Sequence, residues 1–323
     1  MIWWRCFFTV LLIIAVLPRF VSALEKFPVG VGTKTLGTSL VWLATKKGFF
    51  EEVGLNVQPV LLRGTPIAVQ ALVGESLYLT FGSADAMVSA AVGGADLVSV
   101  AGVINGLTQA IVAGKKYKSI KELRGTTIGV QSLASGATTT LKRIFKTNGL
   151  EYPADYKLLA VGGGNFNLAA LTSGQVAAAF LVVPLVYAAE DQGFNVLGYY
   201  KDYFPNYQLT VMSVKRGWAE KNRPALVNFL KGALRANRWL FANKEAAVEF
   251  LAKEIQIAPT LARKGWDYYT ANRIWHPGLE INIQGMKVAL EILAEDSKFT
   301  PPDPVKYIDR SYLQQALKEL GGQ

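Results

Sequence analysis

Residues 71–93, ALVGESLYLTFGSADAMVSAAVG, and residues 170–193, ALTSGQVAAAFLVVPLVYAAEDQG, follow one plan, with Gly74 and Gly174, and again Gly93 and Gly193, 100 residues apart. In each stretch Ala-Leu closes a helical run, a glycine follows, a short apolar β-rich run comes next, and a second helical run ends at a second glycine. Glycine suits the positive backbone angle just past a helix end, so one match is an ordinary helix stop. Two glycine pairs in step predict two similar lobes.

Outward from these stretches, between Phe27 and Gly217, short apolar runs alternate with helical ones, the α/β pattern of sheets flanked by crossover helices. Strands are predicted at 29–33, 55–62, 77–82, 97–103, 109–113, 127–131, 157–161, 177–182 and 196–199. Beyond Gly217 strand signals stop, and helices are predicted at 224–242, 244–255, 260–272, 283–296 and 304–320, all expected to pack on the first lobe. Pro224 suits a first helical turn, and Leu226, Phe229, Leu230, Ala233 and Leu234 form one apolar stripe behind it.

The first 23 residues, MIWWRCFFTVLLIIAVLPRFVSA, join Arg5, an apolar run from Cys6 to Leu17 and the small-residue ending Val21-Ser22-Ala23. That order predicts a secretory signal cleaved after Ala23. A membrane span needs about 20 apolar residues, and this run stops at Pro18 and Arg19. Cleavage removes two of the 34 basic residues and none of the 24 acidic ones, lowering the net charge from +10 to +8. It also removes the only cysteine, which excludes disulfides and thiolate chemistry from the mature chain. The basic residues are scattered among acids, and even Lys115, Lys116, Lys118, Lys121 and Arg124 read as a solvated turn and helix, so no nucleic-acid partner is expected.

Five stretches place a glycine or a capping residue where a strand meets a helix: Gly37-Thr38-Ser39, Gly64-Thr65-Pro66, Gly82-Ser83-Ala84-Asp85, Ser135-Gly136-Ala137-Thr138 and Gly162-Gly163-Gly164-Asn165. Any one of them is explained by a helix cap. Five on the carboxyl edges of open sheets, where backbone amides are free, point to a ligand cleft. Ligand contacts are expected from Gly37, Thr38, Trp42, Gly64, Thr65, Ser83, Ala84 and Asp85 on one side. On the other they are expected from Gln131, Ser135, Gly136, Thr138, Gly163, Asn165, Phe166 and Pro184. Tyr187 is expected in the core. GxxxxGK[ST] is absent, and Gly162-Gly163-Gly164 lacks dinucleotide spacing, so neither nucleotide nor cofactor is expected. The single histidine, His276, has no carboxylate near it in sequence and reads as a surface or cleft-rim residue, leaving neither a zinc site nor a triad.

Lys47-Gly48-Phe49-Phe50-Glu51-Glu52-Val53-Gly54-Leu55-Asn56-Val57, Ala71-Leu72-Val73-Gly74-Glu75, Leu123-Arg124-Gly125-Thr126-Thr127-Ile128-Gly129-Val130, Ala170-Leu171-Thr172-Ser173-Gly174-Gln175-Val176 and Pro184 occur in this order. In this the chain resembles the periplasmic solute-binding proteins of the nitrate, sulfonate and taurine type, a family that also holds binders of thiamine-pyrimidine precursors. The resemblance implies a type II periplasmic-binding-protein fold: two lobes, each a mixed sheet flanked by helices, joined by two crossing strands near 110–114 and 208–214. Lobe one would comprise residues 24–112 and 211–323, and lobe two residues 113–210. It further implies a monomeric periplasmic component of an ABC importer that takes a small organic solute, an anion among the candidates, and delivers it to a membrane permease. Leu77 and Ala177 stand where the family often has Asp, so the resemblance carries no particular substrate. Two other readings stay open: a pyrimidine-precursor biosynthetic enzyme of the same superfold, which resembles proteins using histidine, lysine and a cysteine-rich motif, and an extracellular sensor or adaptor.

Overall fold

The computed structural model describes residues 24–321 apart from 63, 134, 135, 298, 299 and 302. The signal reading of residues 1–23 and the contact expected from Ser135 lie outside the described residues. The chain begins β1 (Glu25–Val31), α1 (Leu40–Lys46), β2 (Leu55–Leu61), α2 (Thr65–Val73), β3 (Leu79–Ser83), α3 (Ala84–Val92) and β4 (Leu97–Asn105). It continues β5 (Gln109–Ala113), β6 (Thr127–Val130), α4 (Gly136–Thr147), β7 (Lys157–Ala160), α5 (Gly164–Thr172), β8 (Ala178–Val182), α6 (Leu185–Glu190), β9 (Asn195–Tyr199) and α7 (Tyr200–Tyr203). The last part holds β10 (Gln208–Lys215), α8 (Arg216–Lys221), α9 (Arg223–Ala242), α10 (Lys244–Ile255), α11 (Pro259–Ala271), α12 (Ile283–Ser297) and α13 (Ser311–Glu319).

These strands form two five-stranded sheets, ordered β2-β1-β3-β10-β4 and β7-β6-β8-β5-β9. The two orders correspond strand for strand. In each, three parallel strands are followed by one antiparallel strand, β10 beside β3 and β5 beside β8. The repeated stretches of sequence supply β3 with α3 and β8 with α6, the same station in each sheet.

The chain passes from the first sheet to the second between Asn105 and Gln109 and returns between Tyr199 and Gln208. β5 thus stands wholly in the second sheet and β10 wholly in the first, a few residues ahead of the divisions expected at 112 and 210. Gln208 ties the crossings together: its buried amide donates to the Ile104 carbonyl at 3.1 Å and accepts from the Asn282 amide at 2.8 Å. Gly106 has a φ of +117°, and a Cβ there would meet Ile274, so only glycine fits the first crossing.

Helix α9 docks on the first sheet through the expected stripe, with Phe229 stacked between Phe27 at 5.0 Å and Phe50 at 4.8 Å. Burial of such a side chain contributes about 2–3 kcal/mol. Two of the C-terminal helices do not keep to the first lobe as expected. Helix α12 sends Met286 and Leu290 into the first-lobe core and Ala289 and Ile292 into that of the second. Helix α11 stacks Tyr268 on Tyr199 of β9, ring centres 6.1 Å apart. The helix expected over 304–320 is broken as well. A 3-10 turn covers Pro304–Tyr307, the Asp309 amide donates to the Ser99 carbonyl at 3.0 Å, and the Asp309 carboxylate caps the Ser311 amide at 2.9 Å.

Candidate functional site

In both sheets the parallel strands end at the same edge as the predicted loops, because each crossover helix must begin where its strand stops. On the first sheet α2 starts hard against β1 and β3. A Cβ at Gly32 would come within 2.8 Å of the Thr65 nitrogen, and one at Gly82 within 2.7 Å of the Thr65 methyl. The Ser83 amide donates to the Thr65 hydroxyl at 3.3 Å and ties the start of α2 to the end of β3. Glycine at 32 and 82 is a close-packing requirement that the sequence reading did not use.

Gly37 and Thr38 have structural tasks. The Thr38 hydroxyl is buried and donates to the Thr33 carbonyl at 2.8 Å while accepting from the Thr35 amide at 3.0 Å, closing its own turn. The Gly37 carbonyl accepts from the Trp275 indole at 3.4 Å, and a Cβ there would collide with Ile104 at the crossing. Trp42 is half-buried with the Lys34 ammonium 5.0 Å from its ring centre. Lys34 and Lys46 both pair with the buried Glu254, at 2.6 and 2.5 Å. Burial pushes the Glu254 carboxyl up, but the hydrogen bonds and charges of the two lysines outweigh it and hold the group below the usual carboxylate range.

On the second sheet the buried Thr138 hydroxyl donates to the Ser132 carbonyl at 2.6 Å and closes the loop ahead of α4. Gly163 precedes α5, Asn165 and Gln131 are exposed, and Phe166 folds back on Gly162 with 67% of its surface exposed. Pro184 is buried at the start of α6. Tyr187 is half-buried and packs on the shared core, with the Lys264 ammonium 5.7 Å from its ring centre.

The two edges meet. Asp85, on the first turn of α3, reaches across to Gly136 at the start of α4, where an added Cβ would run into its carboxylate. Tyr207, on the returning crossing, is buried beside this contact. Burial first, and then the charge of Asp85, push its hydroxyl far up against the opposing charge of Arg143, so it stays neutral. At the other flank a Cβ on Gly265 of α11 would lie 3.0 Å from Leu36 and 3.2 Å from Pro184. Lys264 also pairs with Asp191 at 3.0 Å. Tyr207, Gly265 and Lys264 were not among the sequence candidates. Nothing in the local sequence of a helix announces that it touches the opposite lobe.

His276 is half-buried and uses Nδ1 to accept from the Gly278 amide at 3.1 Å, a turn-closing role. Among the described residues no group of three His, Cys, Asp or Glu side chains is arranged to hold a metal, and no helix is long and apolar enough to cross a membrane. An open depression between α10 and α11, lined by Glu245, Glu249, Lys253 and Arg263 among others, contains none of the candidate loop residues.

Two mixed sheets, two crossings, and helix-starting loops that meet at their carboxyl edges define a periplasmic-binding-protein fold. The NMT1/THI5-like family model matches residues 38–247, and the chain belongs to that family. A protein of Brucella abortus (strain 2308) named "Putative binding protein" is 27% identical over 258 residues, covering 78% of this chain and 79% of its own. The periplasmic aliphatic sulphonate-binding protein SsuA of Escherichia coli has the same fold at 18% identity, with a TM-score of 0.69 over 90% of this chain and 99% of that one. So does the periplasmic nitrate-binding protein NrtA of Synechocystis, at 13% identity and a TM-score of 0.74, over 93% of this chain and 90% of that one.

Proposed function

We propose that this chain is the periplasmic solute-binding component of an ABC importer, which takes a small organic solute between its lobes and hands it to a membrane permease without altering it. The observation that carries the reading is the meeting of the two loop sets across one cleft, Asp85 against Gly136, with Thr65 and Ser83 tied together on the first side. A solute held there touches both lobes, so binding and lobe closure are one event. The similarity to sulphonate- and nitrate-binding proteins supports the class of task, and the signal-like first 23 residues support export. Calorimetry against sulfonates, carboxylates and pyrimidines is expected to find a ligand with a dissociation constant of about 1 μM or tighter, roughly −8 kcal/mol. Mass spectrometry should recover that ligand unchanged. Binding of no panel member, or release of an altered molecule, overturns the reading.

A further inference from the structure

Gln109 and Gln208 stand at the same station of the two lobes. Each opens the antiparallel strand of its sheet, β5 beside β8 and β10 beside β3, and each is buried. Their amides are used differently. Gln208 is bonded at both ends: Nε2 donates to the Ile104 and Thr210 carbonyls at 3.1 and 2.9 Å, and Oε1 accepts from the Asn282 amide at 2.8 Å. Gln109 is only 6% exposed, yet its buried Oε1 accepts from no group of the chain. A buried acceptor left unpaired is destabilising, so its retention calls for a reason. Its place supplies one. Gln109 pairs with Val182, the last residue of β8, and the neighbouring Thr108 carbonyl accepts from the Val183 amide at 2.9 Å. The residue therefore sits at the carboxyl edge of the second sheet, beside the Pro184 turn. By strand alternation its side chain shares the face of Ile111 and Ala113, whose core also holds Leu141 of α4 and Tyr207 of the returning crossing. That is the corner where α3 and α4 meet across the cleft.

Resting on the binding reading above, we propose that Gln109 is a ligand-binding residue at the inner end of the cleft: its Oε1 accepts a hydrogen bond from the solute and selects solutes that carry an N–H or O–H donor there. A carbonyl oxygen is an acceptor only. A solute that presents nothing but acceptors, such as a bare inorganic oxyanion, sets lone pairs against lone pairs. One that presents a methyl group leaves the carbonyl as unpaired as before. A hydroxyl or an amino-substituted ring pairs it, and a site with a buried polar group discriminates strongly against the analogue that lacks the partner. Gln109 lies outside the helix-starting loops, on the first residue of a strand, where a glutamine has no spacing that marks it as a site residue.

The test uses pairs of equal size that differ in one uncharged donor: isethionate and propane-1-sulfonate, 4-hydroxybutyrate and pentanoate, 4-amino-2-methylpyrimidine and 2,4-dimethylpyrimidine. Calorimetry compares wild type with Gln109→Met, which keeps length and removes the acceptor, and with Gln109→Leu. Wild type is expected to bind the donor member of at least one pair at least about tenfold tighter than its twin, and both variants to bring that pair within about twofold. The ligand-free variants are expected to melt at or above the wild-type temperature, because Oε1 holds no part of the fold together. A structural acceptor behaves in the opposite way, lowering the melting temperature when removed and leaving the donor preference alone. Lack of donor preference in every pair, absence of binding included, a preference kept in Gln109→Met and Gln109→Leu, or a melting temperature lowered in both, overturns the assignment. If wild type still binds some other solute of the wider panel, only the role of Gln109 falls. If it binds none, the solute-binding reading falls with it.

Discussion

Glu254 shows how one side chain can anchor a loop from a distance. Its side chain is only 4% exposed, yet it receives Lys46 from α1 and Lys34 from the loop that carries Thr38, while the Lys34 ammonium lies over Trp42. Removal of a charged hydrogen-bond partner of this kind costs about 1–3 kcal/mol. The lysines are 30% and 57% exposed and can turn to water, which keeps the loss toward the lower end. Glu254→Gln is therefore expected to lower unfolding stability by about 1–2 kcal/mol at pH 7 in urea titrations. Because the folded carboxyl titrates below its ordinary value of 4.5, its contribution is complete above that pH and is lost as pH falls through the lowered folded value. The gap between wild type and Glu254→Gln should narrow on acidification. A gap of the same size at pH 3 and pH 7 would refute the ionic role.

At the scale of elements, Thr138 decides between a cap-like task and a ligand task for the loop before α4. Its hydroxyl, buried and bonded to the Ser132 carbonyl, is already engaged. Thr138→Ala is expected to cost about 1–2 kcal/mol of stability in the ligand-free protein, read as a lower melting temperature. Any loss of affinity would follow from disorder of the loop. An unchanged melting temperature with a selective loss of affinity would restore the ligand role. This is also where the legibility of the sequence ends. Strands and helices are legible because their periods are local, so β5 at Gln109–Ala113 and α10 at Lys244–Ile255 fall where the pattern puts them. The paired stations of β3 and β8 are legible too, through the glycines at 74, 93, 174 and 193. The direction of a hydroxyl is not, since a capping threonine and a ligand-binding threonine have the same spelling. The bridging of α11 and α12 is equally hidden, because an apolar face does not say which lobe it covers.

For the whole molecule the question is what holds the lobes together, and α11 contributes more than the crossings alone would suggest. The segment just after it is tied to the first crossing, where the Asn105 amide donates to the Ile274 carbonyl at 2.8 Å, and the middle of the helix lies on the second lobe at Pro184 and Tyr199. Gly265 permits that approach. An alanine there would press on Leu36 at 3.0 Å and Pro184 at 3.2 Å, and a leucine cannot be placed without moving α11 off the second lobe. The neighbouring pair Lys264–Asp191 is exposed on both sides, 47% and 59%, and adds little by itself. Gly265→Leu should therefore shift the balance of closed and open forms, whereas Lys264→Ala should scarcely do so. A loss of about 1.4 kcal/mol from the closed form raises the open-to-closed ratio tenfold. Small-angle scattering of the ligand-free protein is the measurement: Gly265→Leu is expected to increase the radius of gyration, and Lys264→Ala to leave it near the wild-type value. A saturating ligand should shrink Gly265→Leu more than wild type, because more of the variant starts open. That closure must be driven by the ligand's own contacts with both lobes, so apparent affinity falls by the fraction of molecules that have opened. If Gly265→Leu keeps its melting temperature and scatters like wild type with and without ligand, α11 is a passenger on the first lobe and the crossings alone govern the clamp.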